Sequence, residues 1–123
     1  YSTCITRTFQ PDGLRHLLGL HVHDAGGHLV NTDGKTRNPP TNHPMLRLTR
    51  VLEPGFVVTI EPGLYFIPSL LYKLRNTALG RSIDWDKLSE LYSCGGIRVE
   101  DNVLVTNTTP QNISRPAFKT AGL

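Results

Sequence analysis

A run of apolar and β-branched residues, Phe56 to Ile60, ends abruptly in Glu61-Pro62-Gly63, and such a segment has few ways to fold. Consecutive residues of this kind between breaker signals read as a buried strand. Glu53-Pro54-Gly55 is the turn that leads into it. Pro62 has no N–H to offer a ladder, so the strand stops and Glu61 stands at its end. A carboxylate at the end of a buried strand is unfavourable unless something compensates it. A metal ion would do so, and so would an arginine.

A second carboxylate occupies a similar place. Gly95-Gly96 opens a strand running from Ile97 to about Val105. Alternation puts Ile97, Val99 and Val103 on one face and Arg98 and Glu100 on the other. On local sequence, an ion pair between Arg98 and a carboxylate accounts for that face better than a metal does. The histidines gather early, at His16, His21, His23 and His28, with His43 further on. Alternation through Leu20, His21, Val22 and His23 sets His21 and His23 on one strand face. Two histidines and two glutamates at separated positions suit manganese, zinc or cobalt. A small zinc protein built on His21 and His23 is the competing arrangement, although it leaves the two glutamate segments unexplained.

The remaining segments complete an α+β reading. Cys4 to Phe9 is β-prone, and Asp12 to Asp24 is mixed. Gly26 to Pro44 is punctuated by Gly, Asn, Asp and prolines and reads as a long surface loop. Leu64 to Leu74 is apolar without a clean period and reads as irregular or partly exposed. Asp84 to Tyr92 reads as a short helix, with Ser82 or Asp84 as cap and Trp85, Leu88, Leu91 and Tyr92 on one face.

With 38% apolar and 19% charged residues, the 123-residue chain can support a core. Its net charge of +3 comes from scattered lysines and arginines, a solvated surface rather than a nucleic-acid patch. No apolar run approaches the ~20 residues that span a bilayer, so no membrane partner is expected. Cys4 and Cys94 read as free reduced thiols of a cytoplasmic protein. Asn107-Thr108-Thr109 and Asn112-Ile113-Ser114 match the glycosylation sequon, a pattern short enough to arise by chance. The start has no signal-peptide core and no initiator methionine, which reads as a chain cut from something longer.

Three segments together carry a resemblance. HLLGLHVHDAGG (His16 to Gly27), RVLEPGFVVTIEPGLYFIPSLL (Arg50 to Leu71) and GGIRVEDNVLV (Gly95 to Val105) resemble, in order and separation, the histidine and two glutamate signatures of the prolidases, or Xaa-Pro dipeptidases. The resemblance implies the C-terminal part of the pita-bread fold, with residues 1–123 as a single partial domain. It implies metal-dependent hydrolysis of X-Pro dipeptides at two divalent ions, manganese foremost, with cobalt or zinc as alternatives. His16, Glu61 and Glu100 match metal ligands, Glu61 doubling as a proton shuttle. His23 matches a histidine that contacts the substrate or steadies the tetrahedral intermediate. Arg47 matches the arginine that holds the proline carboxylate, and Arg98 an arginine beside the second glutamate. A homodimer and phosphotriester hydrolysis as a side activity also fall within what the family implies.

Two departures from the family pattern stand out. Two aspartate ligands expected upstream of His16 are not in the sequence, and Asp12 and Arg15 replace an active-site histidine and a small residue. The charge of Arg15 beside His16 is expected to oppose a cation. A non-catalytic pita-bread homologue acting as a binding module is the alternative that these departures favour.

Overall fold

The computed structural model describes residues 5–11 and 13–122. Cys4 and Asp12, both singled out above, lie outside the described residues. In chain order the elements are α1 (Ile5–Phe9), β1 (Val57–Ile60), β2 (Gly63–Tyr65), α2 (Pro68–Arg75), α3 (Trp85–Glu90), β3 (Gly96–Arg98), β4 (Asp101–Leu104), β5 (Gln111–Asn112) and α4 (Arg115–Thr120). The architecture is α+β, as expected. Two units divide the chain, Tyr1–Asp12 with Pro62–Arg98 and Gly13–Glu61 with Val99–Leu123.

The second unit is built on an antiparallel sheet ordered β1-β4-β5. β1 pairs with β4 from Val57 opposite Leu104 to Ile60 opposite Asp101. The other edge of β1 is covered by residues 14–18. Leu18 N donates to Val57 O at 2.9 Å, Thr59 N to His16 O at 3.0 Å and Glu61 N to Leu14 O at 2.9 Å. Strand β1 is thereby satisfied on both sides, which its apolar composition requires. Val58, Leu17 and Leu48 form the core here, flanked by Leu52, Phe56, Ile60, Val103 and Val105.

The alternating stretch Leu20 to His23 is not a strand. Asp24 N donates to Leu17 O and Gly19 N to His21 O, closing the segment into a bend with Leu20 94% exposed. Alternation alone does not make a strand where no neighbour offers a ladder. The Gly26 to Pro44 stretch is largely surface, as expected, but Gly27 is buried. A Cβ on Gly27 would stand 2.1 Å from Arg47 O, so only glycine allows this approach. Gly27 O accepts from Thr49 N and Arg50 N, tying the two segments together.

The expected strand from Ile97 to Val105 is divided. β3 pairs with β2 and β4 with β1, leaving Val99 and Glu100 outside either strand. Each half takes its own partner because Pro62 cannot continue the ladder beyond β1. Ile97 and Val99 are 67% and 49% exposed, so they do not form the inward face that alternation called for.

The first unit holds the β2–β3 pair, with Tyr65 opposite Gly96. Its core is Phe66, Leu71 and Leu88, with Phe9, Ile83 and Trp85 packed against them. Residues 68–75, in a stretch expected to be irregular or partly exposed, form α2, with Tyr72 exposed. Pro68 supplies a preset first turn, Leu71 and Leu74 are buried one turn apart, and Lys73 and Arg75 sit near the C-terminal end. Residues 5–9, expected to be extended, form α1. Phe9 packs edge-on against Phe66 at 6.3 Å between ring centroids, and this contact overrides β propensity. Helix α3 matches its sequence signals: the Asp84 side chain accepts from Lys87 N, and Leu88 is buried. Asp84, not Ser82, is the cap, and Leu91 and Tyr92 fall outside the helix and are exposed.

Candidate metal centre

His16 is held by its backbone before its ring does anything. Its carbonyl accepts from Thr59 N, and its N–H donates to Thr59 Oγ1 at 3.1 Å. The side chain is buried, with 4% of the residue exposed. Ring atom Nδ1 lies 2.9 Å from Leu17 O. A carbonyl only accepts, so Nδ1 carries the proton and Nε2 is turned toward Glu61. Nε2 stands 3.1 Å from Glu61 Oε1, and both side chains are nearly shielded from water.

Glu61 follows the last residue of β1, and Asp101 is the first residue of β4. Because Ile60 pairs with Asp101, the next position along both chains sets Glu61 opposite Glu100. Like charges at directly opposed positions repel. One nitrogen and two carboxylate oxygens, from His16, Glu61 and Glu100, lie within 4.8 Å of one another. This donor set fits a divalent cation of borderline-to-hard character. The Nδ1–H contact to Leu17 O is the outer support that orients a ligating imidazole. A cation here would offset the two facing carboxylates.

The other expected site residues distribute as follows. The His23 ring meets the His16 ring edge-on, with centroids 4.4 Å apart. Arg47 Nη1 lies 2.7 Å from His23 Nδ1. Arginine only donates, so Nδ1 is the acceptor and the proton of a neutral His23 ring is on Nε2. His23 and Arg47 are both exposed. Arg98 lies in β3, opposite Gly63, in the other unit. β3 ends at Arg98 and β4 begins at Asp101, so the continuous strand expected to carry both Arg98 and Glu100 is interrupted at Glu100.

His21 is exposed and stands outside the three-residue group, so the His21–His23 zinc arrangement has no counterpart among the described residues. His28 Nδ1 contacts Thr49 Oγ1 at 3.2 Å, and Thr49 in turn donates to Arg37 O, a structural role. Arg15 is exposed. Leu14 and His16 on either side of it bond to the backbone of β1 through their own carbonyls.

Sequence reasoning passed over Thr59. Its hydroxyl donates to Glu61 Oε1 at 2.8 Å. The available signal was a polar residue two places before Glu61, on the same strand face, in an otherwise apolar run.

An imidazole and two carboxylates converging on one edge of an α+β scaffold define a candidate divalent-metal centre. The chain belongs to metallopeptidase family M24, whose sequence pattern matches residues 1–107. It is 47% identical over 117 residues to an Xaa-Pro dipeptidase of Xanthomonas campestris pv. campestris, covering 95% of this chain and 26% of that protein. It is 48% identical over 119 residues to an Xaa-Pro dipeptidase of Stenotrophomonas maltophilia, covering 97% of this chain and 27% of that protein. The chain thus spans about a quarter of the length of the curated relatives it matches.

Among solved structures, aminopeptidase P from E. coli with the inhibitor Pro-Leu superposes with a TM-score of 0.51 at 32% identity, covering 90% of this chain and 18% of that one. Proline aminopeptidase P II from Yersinia pestis gives 0.50 at 30% identity with the same coverage. The fold is that of part of a pita-bread metallopeptidase, as the resemblance implied. Among the described residues no helix is long and apolar enough to cross a membrane.

Proposed function

We propose that this chain contributes part of the active site of a metal-dependent X-Pro dipeptidase and belongs to a single pita-bread catalytic domain. The observation that carries the reading is the convergence of His16, Glu61 and Glu100. The likeness to two proteins named Xaa-Pro dipeptidase supports the substrate class. In this reading His16 Nε2 and the carboxylates of Glu61 and Glu100 hold the cation. Manganese is the foremost candidate because two of the three donors are carboxylates. When bound, a divalent cation supplies Lewis acidity at a peptide carbonyl and makes a coordinated water more acidic.

The chain's own groups supply the rest. Glu61, at the end of β1, takes a proton and delivers it to the departing proline nitrogen. Arg47 donates to His23 Nδ1, which keeps the His23 Nε2–H available to stabilise charge growing on the carbonyl oxygen. The planar fork of Arg47 suits the terminal carboxylate of a dipeptide. Arg98 is assigned to the substrate side on the family resemblance. The exposed, unbridged thiol of Cys94 supports a reducing, cytoplasmic setting.

Calorimetric titration of manganese into the intact protein, with Glu100→Ala as control, tests the centre. Saturable binding that the substitution weakens at least tenfold is expected. Equal binding by both proteins would remove Glu100 from the ligand set. Hydrolysis of an X-Pro dipeptide by the same preparation separates a working peptidase from a binding module.

A further inference from the structure

We infer that Thr59 is the positioning residue that locks the Glu61 carboxylate toward His16, an inference that rests on His16 and Glu61 acting as metal ligands. Thr59 lies inside β1 with 1% of its surface exposed, between Val58 and Ile60. A hydroxyl in such surroundings is unfavourable unless both its oxygen and its proton are engaged. Here both are. The oxygen accepts from His16 N at 3.1 Å. The single proton goes to Glu61 Oε1 at 2.8 Å.

The direction of these bonds is forced. A backbone N–H only donates, so it takes up a lone pair of the hydroxyl and leaves the O–H to point at the carboxylate. Thr59 N also donates to His16 O at 3.0 Å. One residue thus grips the His16 backbone at both its polar groups while its side chain reaches the glutamate two places on.

Strand formation alone does not ask for this hydroxyl. Valine fills nearly the same volume and favours strands as well as threonine does. The hydroxyl ties the carboxylate of one ligand to the backbone of the other. Without it, one restraint on the Glu61 rotamer is gone, and some of the freedom that a preorganised site gives up returns. Pro62 stiffens the backbone on the far side of Glu61, so the side-chain torsions are where that freedom returns.

The test compares Thr59→Val with Thr59→Ser in the intact protein. Two readouts are used: manganese affinity by calorimetry, and a crystal structure of each metal-free variant. The expected result is that valine weakens manganese binding at least tenfold and lets Glu61 turn away from His16, while serine stays within about threefold of wild type. Serine also guards against a valine variant that fails to fold, since it keeps both hydrogen bonds. If the valine variant binds manganese as wild type does, the inference falls and the metal site stands. If wild type binds no manganese yet Glu61 turns away in the metal-free valine variant, the positioning role holds and the metal reading fails. If wild type binds no manganese and Glu61 keeps its place in the metal-free valine variant, both are wrong.

Discussion

Nε2 of His16 stands 3.1 Å from Oε1 of Glu61, while the ring's other nitrogen gives its proton to the carbonyl of Leu17. An imidazole lone pair and a carboxylate oxygen that already receives the Thr59 proton are both acceptors. They meet at this distance only with a proton or a cation between them. Glu61→Gln separates the two cases. The amide NH2 can donate to Nε2 and hold the pair without a cation, so metal-free melting is expected to change by only a few degrees. The ligand charge is lost, so manganese affinity is expected to fall at least tenfold. A Glu61→Gln protein that retains wild-type affinity would exclude this carboxylate as a ligand.

A different measurement addresses the substrate side. Arg47 Nη1 donates to His23 Nδ1 at 2.7 Å, and both residues face solvent. Arg47→Lys keeps the positive charge but loses the planar fork. Charge-assisted hydrogen bonds contribute roughly 1.5–3 kcal/mol, which corresponds to about a 10- to 100-fold rise in KM for an X-Pro dipeptide. Peptides whose carboxylate lies further along the chain are expected to be affected less. Steady-state kinetics on a dipeptide and a longer peptide would show the split, and equal losses on both would point away from carboxylate binding.

How much of this is legible in the sequence follows from which forces act locally. Helix α3 could be read because Asp84 caps it and Leu88 faces inward within the same short stretch. Strand β1 could be read because Pro54-Gly55 and Pro62 bracket it. Helix α2 could not: Leu70, Leu71, Tyr72 and Leu74 put apolar groups on more than one face, and the inward side is chosen by Phe66 and by Leu88, which belongs to the next helix. The break at Val99 and Glu100 is invisible in its own segment, since it depends on the pairing of β3 and β4 with separate partners. His16, Glu61 and Glu100 were found through the family resemblance. Their local context favoured an ion pair over a metal at Glu100. Thr59 looked like an ordinary strand residue, because its partner His16 is 43 positions away.

Gly27 explains how Arg47 comes within reach of His23. Its carbonyl accepts from Thr49 N and Arg50 N, and a side chain on it would meet Arg47 O at 2.1 Å. The obstacle is backbone, which cannot swing aside as a long side chain would. Gly27→Ala is therefore expected to destabilise the protein by about 1–3 kcal/mol, the usual penalty of overpacking. It should also displace Arg47 and so raise KM for a dipeptide. Urea unfolding gives the first quantity. An unchanged midpoint would mean that the 47–50 segment is not anchored at Gly27.

The Asn112-Ile113-Ser114 sequon has a structural use. Asn112 Oδ1 accepts from Ser114 N and Arg115 N, both at 3.0 Å. Ser114 Oγ accepts from Asn102 N at 2.8 Å, and Ile113 N donates to Asn102 O. Arg115 completes the clamp on the start of β4, with Nε 2.7 Å from Asp101 Oδ1 and Nη2 donating to Oδ2 at 2.9 Å. The clamp closes directly after Glu100, so loosening it should be felt at the metal group as well. The arginine side chain is 47% exposed and the aspartate 20%, which limits what the charge contributes. Arg115→Ala is expected to lower stability by about 0.5–1 kcal/mol at low salt, and by less near 1 M salt, where screening acts within about 3 Å. Asn112→Ala removes an acceptor from two backbone donors, and its expected loss of about 1 kcal/mol should not depend on salt. Urea unfolding of both variants at low and high salt checks this contrast. Equal, salt-independent losses would show that the hydrogen-bonded turn, without the ion pair, holds α4 to the sheet.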